Sequence, residues 1–318
     1  MNKKYNISED FNELIKMVEN RGKITSQEEA IKMISEANRL GKIALDNNKS
    51  NDEVKVTKKK MKSFDGEEID IQIIEPQNIG NNAPCLIYYH GGGFVSGPME
   101  AYIKAMPLYA LKVNCKVVFV DYRLALEYPF PTGVEDCYSA LLWVYENAQS
   151  LGIDVNKIAV GGDSAGGALS AAVSQMTLDR KGPKICFQML NYPVTDSRQI
   201  TKSVREFVDT PIINSQSIKT MWQTYLRNGD RGKIEYAAPM LRKSFKGLPA
   251  AYVEVAEFDP LRDEGIEYAK AMKEEGVSVE FVQTKGTVHG YDMIQTSDIT
   301  KESIGKRVSA LKNAFNIK

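Results

Sequence analysis

Six continuous apolar runs alternate with stretches of helical spacing, and this alternation restricts the fold of the chain more than any other feature. The runs lie at 85–90, 115–122, 157–162, 185–192, 250–258 and 277–284. Such unbroken runs are typical of strands covered on both faces, whereas half-exposed strands alternate apolar and polar residues. Helical spacing separates most of the runs, as at 133–149 and 263–276. The chain is therefore predicted to be an α/β protein with a mostly parallel sheet.

Two segments depart from this alternation. The first fifty residues have the pattern of two helices, with Ser26 and Glu29 at capping-box spacing before the second. Between the sixth and seventh predicted strands, a polar insertion carries a helix with Trp222 but no strand. We expect residues 1–50 and an insertion at about 195–235 to form a helical cap on a main domain of residues 51–318.

The region after residue 54 has a different period. Ile69, Ile71 and Ile73 alternate with polar residues, which predicts a half-buried antiparallel strand. The lysine run "KVTKKKMK" at 55–62 falls in a preceding edge strand, where charge discourages pairing with the edge of another sheet. A solvated edge explains these lysines better than a nucleic-acid patch does.

Composition restricts the partners and the compartment. The 318 residues contain 41 Lys and Arg against 41 Asp and Glu, so no overall field attracts nucleic acid or anionic lipid. No apolar run approaches the ~18 residues of a membrane span, and the N-terminus lacks the apolar segment of a secretory signal. The four cysteines are widely spaced, and we expect free thiols and a cytoplasmic location.

One serine stands among four glycines in "GGDSAGG" at 161–167, between an apolar strand and a helix of small residues. Gly162 to Gly166 match the pattern G-x-S-x-G, in which a sharp strand-to-helix turn presents a nucleophilic serine. A flexible turn would explain the glycines, but not the strand and the helix beside them. Ser164 is the predicted nucleophile.

A serine hydroxyl attacks only when a base takes its proton, and histidine is the usual base because it titrates near neutral pH. The chain has two histidines, His90 and His289. His289 follows the last strand and comes after the serine, the chain order found where G-x-S-x-G supplies the nucleophile. We therefore predict His289 as the base.

The base needs a carboxylate to orient its ring, and two aspartates qualify. Asp259 directly follows the apolar run 250–258, so it is expected at the carboxyl end of a strand, where ligands collect in open α/β sheets. Capping the helix that begins at Pro260 is compatible with that role. Asp196, after the preceding strand, is the rival, and Asp259 is preferred.

The stretch "HGGGF" at 90–94 follows a strand with three consecutive glycines. Backbone N–H groups that approach closely can stabilise the oxyanion of a tetrahedral intermediate. Gly91, Gly92 and the N–H of Ala165 are the predicted oxyanion hole. A phosphate cradle is the alternative, but the chain lacks both the P-loop Lys-Ser/Thr and a G-x-G-x-x-G after a strand.

Between residues 90 and 291 the chain carries, in order, "HGGGF", "DYRLALEYPFP", "GDSAGG", "DPLRDEG" and "HGY". This series resembles the bacterial hormone-sensitive-lipase-type esterases of the α/β-hydrolase superfamily. The resemblance implies an eight-stranded, mostly parallel sheet with a helical cap, on a catalytic domain that hydrolyses short- to medium-chain carboxylic esters without metal or cofactor. It further implies that His90 and Gly93 support the glycine loop structurally. Leu126 departs from the family, which usually has proline there.

Other functions remain compatible with these motifs. The family resemblance includes plant hormone receptors that bind a small molecule after losing a triad member, but Ser164, Asp259 and His289 are all present here. An acyltransferase or amidase could use the same triad, because the shape of the cap and pocket selects the acceptor. The expected partner is a small-molecule ester rather than nucleic acid, and a homo-oligomer is compatible with the sequence.

Overall fold

A computed structural model of the protein describes residues 4–20 and 27–317, whose strands form one eight-stranded sheet. The strands are β1 (Val54–Lys62), β2 (Glu68–Pro76), β3 (Ala83–Tyr89), β4 (Lys116–Asp121), β5 (Ile153–Asp163), β6 (Phe187–Asn191), β7 (Ala250–Phe258) and β8 (Val279–Val288). Their order is β1-β2-β4-β3-β5-β6-β7-β8. The β1–β2 and β2–β4 pairings are antiparallel and the other five are parallel. The predicted α/β fold with a mostly parallel sheet is confirmed.

Helices cover the two faces of the sheet. They are α1 (Asn12–Asn20), α2 (Gln27–Asn47), α3 (Glu100–Val113), α4 (Thr132–Glu146), α5 (Ala148–Leu151), α6 (Ala165–Asp179), α7 (Lys202–Glu206), α8 (Ser215–Tyr225), α9 (Ile234–Ala237), α10 (Arg262–Glu274) and α11 (Asp298–Ala314). Apolar side chains of α4 and α6 pack into one core, and those of α3 and α11 pack into another on the opposite face. Because helices occupy both faces, the loops that follow the parallel strands meet at the edge formed by the strands' carboxyl ends.

The helices predicted at 133–149 and 263–276 correspond to α4 and α10. The insertion between β6 and β7 contains α7, α8 and α9 and no strand, as expected. Helix α8 begins after Asn214, whose side chain accepts from the N–H of Ser217 in a capping box. Ser26, the N-cap predicted for α2, lies outside the described residues.

Strand β2 is buried on both faces from residue 71 to residue 75, which differs from the half-buried strand predicted. On the face opposite the predicted isoleucines, Ile74 is fully buried and Gln72 is nearly so. The Gln72 amide donates to the Leu45 carbonyl at 2.7 Å and accepts from Asn48 Nδ2 at 2.8 Å. Helix α2 thus covers this face and satisfies its polar side chain, so the alternating pattern concealed the burial.

The predictions of an edge strand for the lysine run and of free thiols are both confirmed. Strand β1 has a single neighbour, so the lysine run lies on a sheet edge. All four cysteines are free; Cys186 is half-buried and the other three are buried. Within residues 4–20 and 27–317, no helix combines the length and apolarity that crossing a membrane requires.

Candidate active site

Ser164 lies at the junction between β5 and α6, with backbone angles φ 54° and ψ −116°. L-residues rarely adopt such a conformation, which costs about 1–3 kcal/mol and persists only where the surroundings enforce it. The flanking glycines explain how the surroundings enforce this conformation. A Cβ on Gly162 would lie 2.2 Å from the Tyr89 carbonyl oxygen, and one on Gly166 would lie 1.9 Å from the same atom. Only glycine permits β3 to pack this closely under the turn.

Three side chains that follow β5, β7 and β8 form one hydrogen-bonded chain. His289 directly follows β8, and its Nε2 lies 2.8 Å from Ser164 Oγ. Asp259 directly follows β7, and its Oδ2 lies 2.7 Å from His289 Nδ1. The other Asp259 oxygen accepts from the Leu261 N–H at 2.8 Å. Because Nδ1 donates to the carboxylate, Nε2 is left to accept the serine proton.

Asp196, the rival to Asp259, has a different partner. Its carboxylate forms a fork with the Arg198 guanidinium, with a shortest N–O distance of 2.6 Å. Its backbone N–H donates to buried Glu264 in α10. Asp259, and not Asp196, contacts His289.

His90 is buried beneath the glycine loop, defined here as residues 91–98. Its ring stacks on Tyr122 with centroids 4.3 Å apart, and its Nδ1 lies 2.6 Å from the Gly91 carbonyl. Burial lowers the pKa of His90 to about 4, so the ring is neutral near pH 7. No contact joins His90 to Ser164 among the described residues, which suits support of the loop rather than proton transfer.

The glycine loop packs directly against the serine turn. A Cβ on Gly91 would lie 3.4 Å from Ser164 Cβ and 3.0 Å from the Asp163 carbonyl oxygen. Gly92 has φ +129°, and its carbonyl accepts from the N–H groups of Val95 and Ser96. Gly93 also has a positive φ, +59°. These glycines let the backbone turn back on itself beside Ser164.

Asp163 precedes the serine but faces the interior of the sheet. Its carboxylate accepts from Tyr88 Oη and, at 2.9 Å, from Asn191 Nδ2. Burial raises the pKa of the Asp163 carboxyl to about 7. The side chain therefore anchors the end of β5 to β3 and β6 and has no contact with His289.

A buried ionic network behind His289 was not predicted from the sequence. The Tyr192 ring packs edge-on against the His289 ring at 4.9 Å, and its hydroxyl donates to Asp292 at 2.5 Å. Arg307 in α11 donates to Asp292 at 2.6 Å and also pairs with Glu254 in β7. An acidic residue inside an apolar strand was a signal that Glu254 has a buried partner, but no local pattern marked Arg307.

A protein-family model described as the alpha/beta hydrolase fold matches residues 86–293. The chain belongs to the α/β-hydrolase family. Carboxylesterase NlhH of Mycobacterium tuberculosis is 37% identical to this α/β-hydrolase over 258 residues, 80% of this chain and 81% of the relative. An arylesterase of Saccharolobus solfataricus is 35% identical over 70% of this chain and 73% of its own.

Solved structures of esterases resemble this α/β-hydrolase over nearly its whole length. A bacterial heroin esterase superimposes with a TM-score of 0.86 and 32% identity, covering 98% of both chains. The predicted resemblance to bacterial hormone-sensitive-lipase-type carboxylesterases is confirmed by these relatives.

Proposed function

We propose that this protein is a serine esterase that hydrolyses short- to medium-chain carboxylic esters, with Ser164, His289 and Asp259 as its catalytic triad. The observation that carries the proposal is the hydrogen-bonded chain from Asp259 through His289 to Ser164, with distances of 2.7 and 2.8 Å. The names of its relatives, carboxylesterase and arylesterase, support the same reaction class.

The proposed mechanism has two half-reactions. Ser164 Oγ attacks the ester carbonyl carbon while His289 Nε2 takes its proton and then gives it to the leaving alcohol. Water, activated by the same nitrogen, then attacks the acyl-enzyme, and the proton returns to Ser164 as the acid departs. Asp259 orients the imidazole and stabilises the imidazolium that forms in each step.

Gly91, Gly92 and Ala165 are the proposed oxyanion hole. Ala165 is the first residue of the 15-residue helix α6, so its N–H has no intrahelical acceptor and lies at the positive end of the helix dipole. Gly91 packs beside Ser164. The Gly92 backbone is held in a turn, because its carbonyl accepts hydrogen bonds from the N–H groups of Val95 and Ser96. Such donors stabilise charge that develops in the transition state only.

We also propose that α1 and α2, with the insertion at about 195–235, act as the cap that selects substrates. Residues 1–3 and 21–26 of the N-terminal segment lie outside the described residues.

The free thiols support a cytoplasmic enzyme. The expected partner is a small ester, and self-association can be tested by sedimentation.

The test is hydrolysis of p-nitrophenyl esters from acetate to decanoate. We expect turnover of the short chains and a fall in kcat/KM at a chain length that the pocket no longer admits. Repeating the assay with excess alcohol or amine measures acyl transfer against hydrolysis. If no ester in the series is cleaved, the esterase proposal is wrong and a binding function becomes the better hypothesis.

A second prediction concerns the glycine loop. Gly92→Ala should displace the Gly92 N–H from the proposed oxyanion hole and lower kcat by about 100-fold or more, because the loss of one oxyanion donor costs about that much. An added Cβ would lie 2.3 Å from the Ser96 carbonyl oxygen, and the φ of +129° disfavours any L-residue. Gly80→Ala is the control, because nothing lies within 4 Å of its Cβ position. Steady-state kinetics and melting temperatures are measured for both, and wild-type kcat in Gly92→Ala would contradict the proposed hole.

A further inference from the structure

The glycine loop is held from both sides by helices that lie far from it in sequence. On one side, Asn38 of α2 accepts from the Gly97 N–H at 2.7 Å and donates a longer bond of 3.5 Å to the Val95 carbonyl. A Cβ on Gly41 would lie 2.6 Å from the Pro98 carbonyl oxygen, so the backbones of helix and loop nearly touch. The end of the loop is thereby fixed to α2.

On the other side, α8 packs against the middle of the loop. The Phe94 ring stacks on the Tyr225 ring with centroids 3.9 Å apart and planes only 3° from parallel. Met221, one turn earlier in α8, packs over Gly93, where an added Cβ would lie 3.3 Å from Met221 Cγ. This helix therefore covers the part of the loop that follows Gly92.

Phe94 has an unfavourable backbone conformation that this stack can hold in place. Its φ is +64°, in the left-handed region that favours glycine, and its side chain is buried. It follows Gly92 and Gly93, which also have positive φ. The ring also lies 5.9 Å from the Trp222 ring and the Phe94 carbonyl accepts from the Ala125 N–H, but Tyr225 is its stacked partner, and without that stack we expect Phe94 to relax towards negative φ. The chain would then leave Gly93 in a new direction, and the Val95 and Ser96 N–H groups would move away from the Gly92 carbonyl.

We propose that Tyr225 and Asn38 are positioning residues, which hold the glycine loop so that the N–H groups of Gly91 and Gly92 are aimed at the oxyanion. This inference rests on the proposed esterase function and goes beyond it, because it assigns a role in catalytic rate to two helices outside the sheet. Neither residue touches the reacting atoms. The role predicts a loss of kcat rather than a loss of substrate affinity.

The closing experiment compares Tyr225→Leu with Tyr225→Phe. Leucine removes the flat ring and should lower kcat by about 10- to 100-fold, with KM changed no more than about threefold, as expected for a displacement of about 1 Å at a catalytic group. Phenylalanine keeps the stack and should rescue kcat to within about twofold, because the buried Tyr225 hydroxyl has no hydrogen-bond partner among the described residues. Gln223→Ala, on the exposed side of α8, is the surface control.

A pair of inhibitors separates this role from a general loss of structure. Ser164 Oγ adds to the carbonyl carbon of an alkyl trifluoromethyl ketone, its proton passes to His289, and the carbonyl electron pair becomes a hemiketal oxyanion. The matching methyl ketone binds without forming this anion to a comparable extent. Tyr225→Leu should weaken the trifluoromethyl ketone by the same factor as kcat/KM and leave the methyl ketone unchanged. Equal weakening of both ketones would overturn the proposal.

Asn38→Ala provides a second approach to the same loop, since Asn38 is only half-buried and its replacement leaves the core intact. We expect a kcat about 3- to 10-fold lower, a trifluoromethyl ketone weakened in parallel, and an almost unchanged melting temperature. An active wild type whose two variants keep full kcat would overturn this inference alone. A wild type that cleaves no ester would overturn the proposed function, and this inference with it.

Discussion

Ser164→Ala is expected to lower kcat for a short p-nitrophenyl ester by about 10⁶-fold, because no other group can form the acyl-enzyme. His289→Ala should cost nearly as much, and the double variant little more, since the two residues act as one unit. Asp259→Asn should cost about 10⁴-fold, because an amide no longer holds the imidazole in the tautomer that accepts the serine proton. Kinetics measured with active-site-titrated enzyme check all of these values.

The matched control for this prediction is Ser174→Ala, another buried serine of the same chain. Its hydroxyl donates to the Ser170 carbonyl within α6, two turns and more from the active site. It should keep kcat within about twofold, since only a bond inside the helix is lost. Substantial ester hydrolysis by Ser164→Ala, at the level of the Ser174→Ala control, would refute the triad assignment.

Arg307→Met is expected to lower the free energy of unfolding by about 3–5 kcal/mol. Arg307 is almost fully buried and is the cationic partner of both Glu254 and Asp292. Methionine would fill much of the volume but leave two buried carboxylates without a counter-charge, which is the costly way to break a buried ion pair. Urea denaturation followed by circular dichroism measures the change.

The pKa of Glu254 supports this expectation and adds a pH dependence. Burial raises the pKa of Glu254, but the charge and hydrogen bonds of Arg307, together with hydrogen bonds from Tyr291 and Tyr252, outweigh burial and hold that pKa below its usual range. A carboxyl with a lowered pKa in the folded state stabilises the protein above its ordinary pKa. That contribution is lost as the pH falls through the lowered value. In Arg307→Met this acid-side loss should shrink.

Lys306→Met is the matched control, one position away on α11. Lys306 pairs with Glu302 on the exposed side of the helix at 2.7 Å, and such surface pairs contribute little. Its unfolding free energy should stay within about 0.5 kcal/mol of wild type. If both variants unfold at the same urea concentration, the buried network does not stabilise the fold in the way its geometry indicates.

Much of the fold and the proximity of three site residues could be predicted from sequence because the signals are local. The G-x-S-x-G turn lies between a strand and a helix that both have clear patterns, and Asp259 and His289 each follow directly on a strand. In a parallel sheet the carboxyl ends of strands share one edge, so these positions imply proximity. Chain order alone could not separate Asp259 from Asp196; the structure separates them because Asp259 contacts His289 while Asp196 pairs with Arg198.

What could not be predicted depends on contacts between distant segments. The pattern of β2 indicated an exposed face because nothing in it shows that α2 covers Gln72. Arg307 looks like any other cation of an amphipathic helix until α11 packs against β7. The positive φ of Phe94 goes with contacts to distant segments, the stack on Tyr225 of α8 and the hydrogen bond from the Ala125 N–H, which no local pattern in the glycine loop indicates.

The separation of the three proposed triad residues along the chain has a consequence for folding. Ser164 and His289 are 125 residues apart, and Asp259 meets His289 across 30 residues. Contacts of such long range close large loops, and they form after helices and neighbouring turns. A nascent or refolding chain can therefore have most of its secondary structure while its serine still lacks a base. On the proposed mechanism, reactivity at Ser164 is expected only when β7 and β8 have joined the sheet and brought Asp259 and His289 to it.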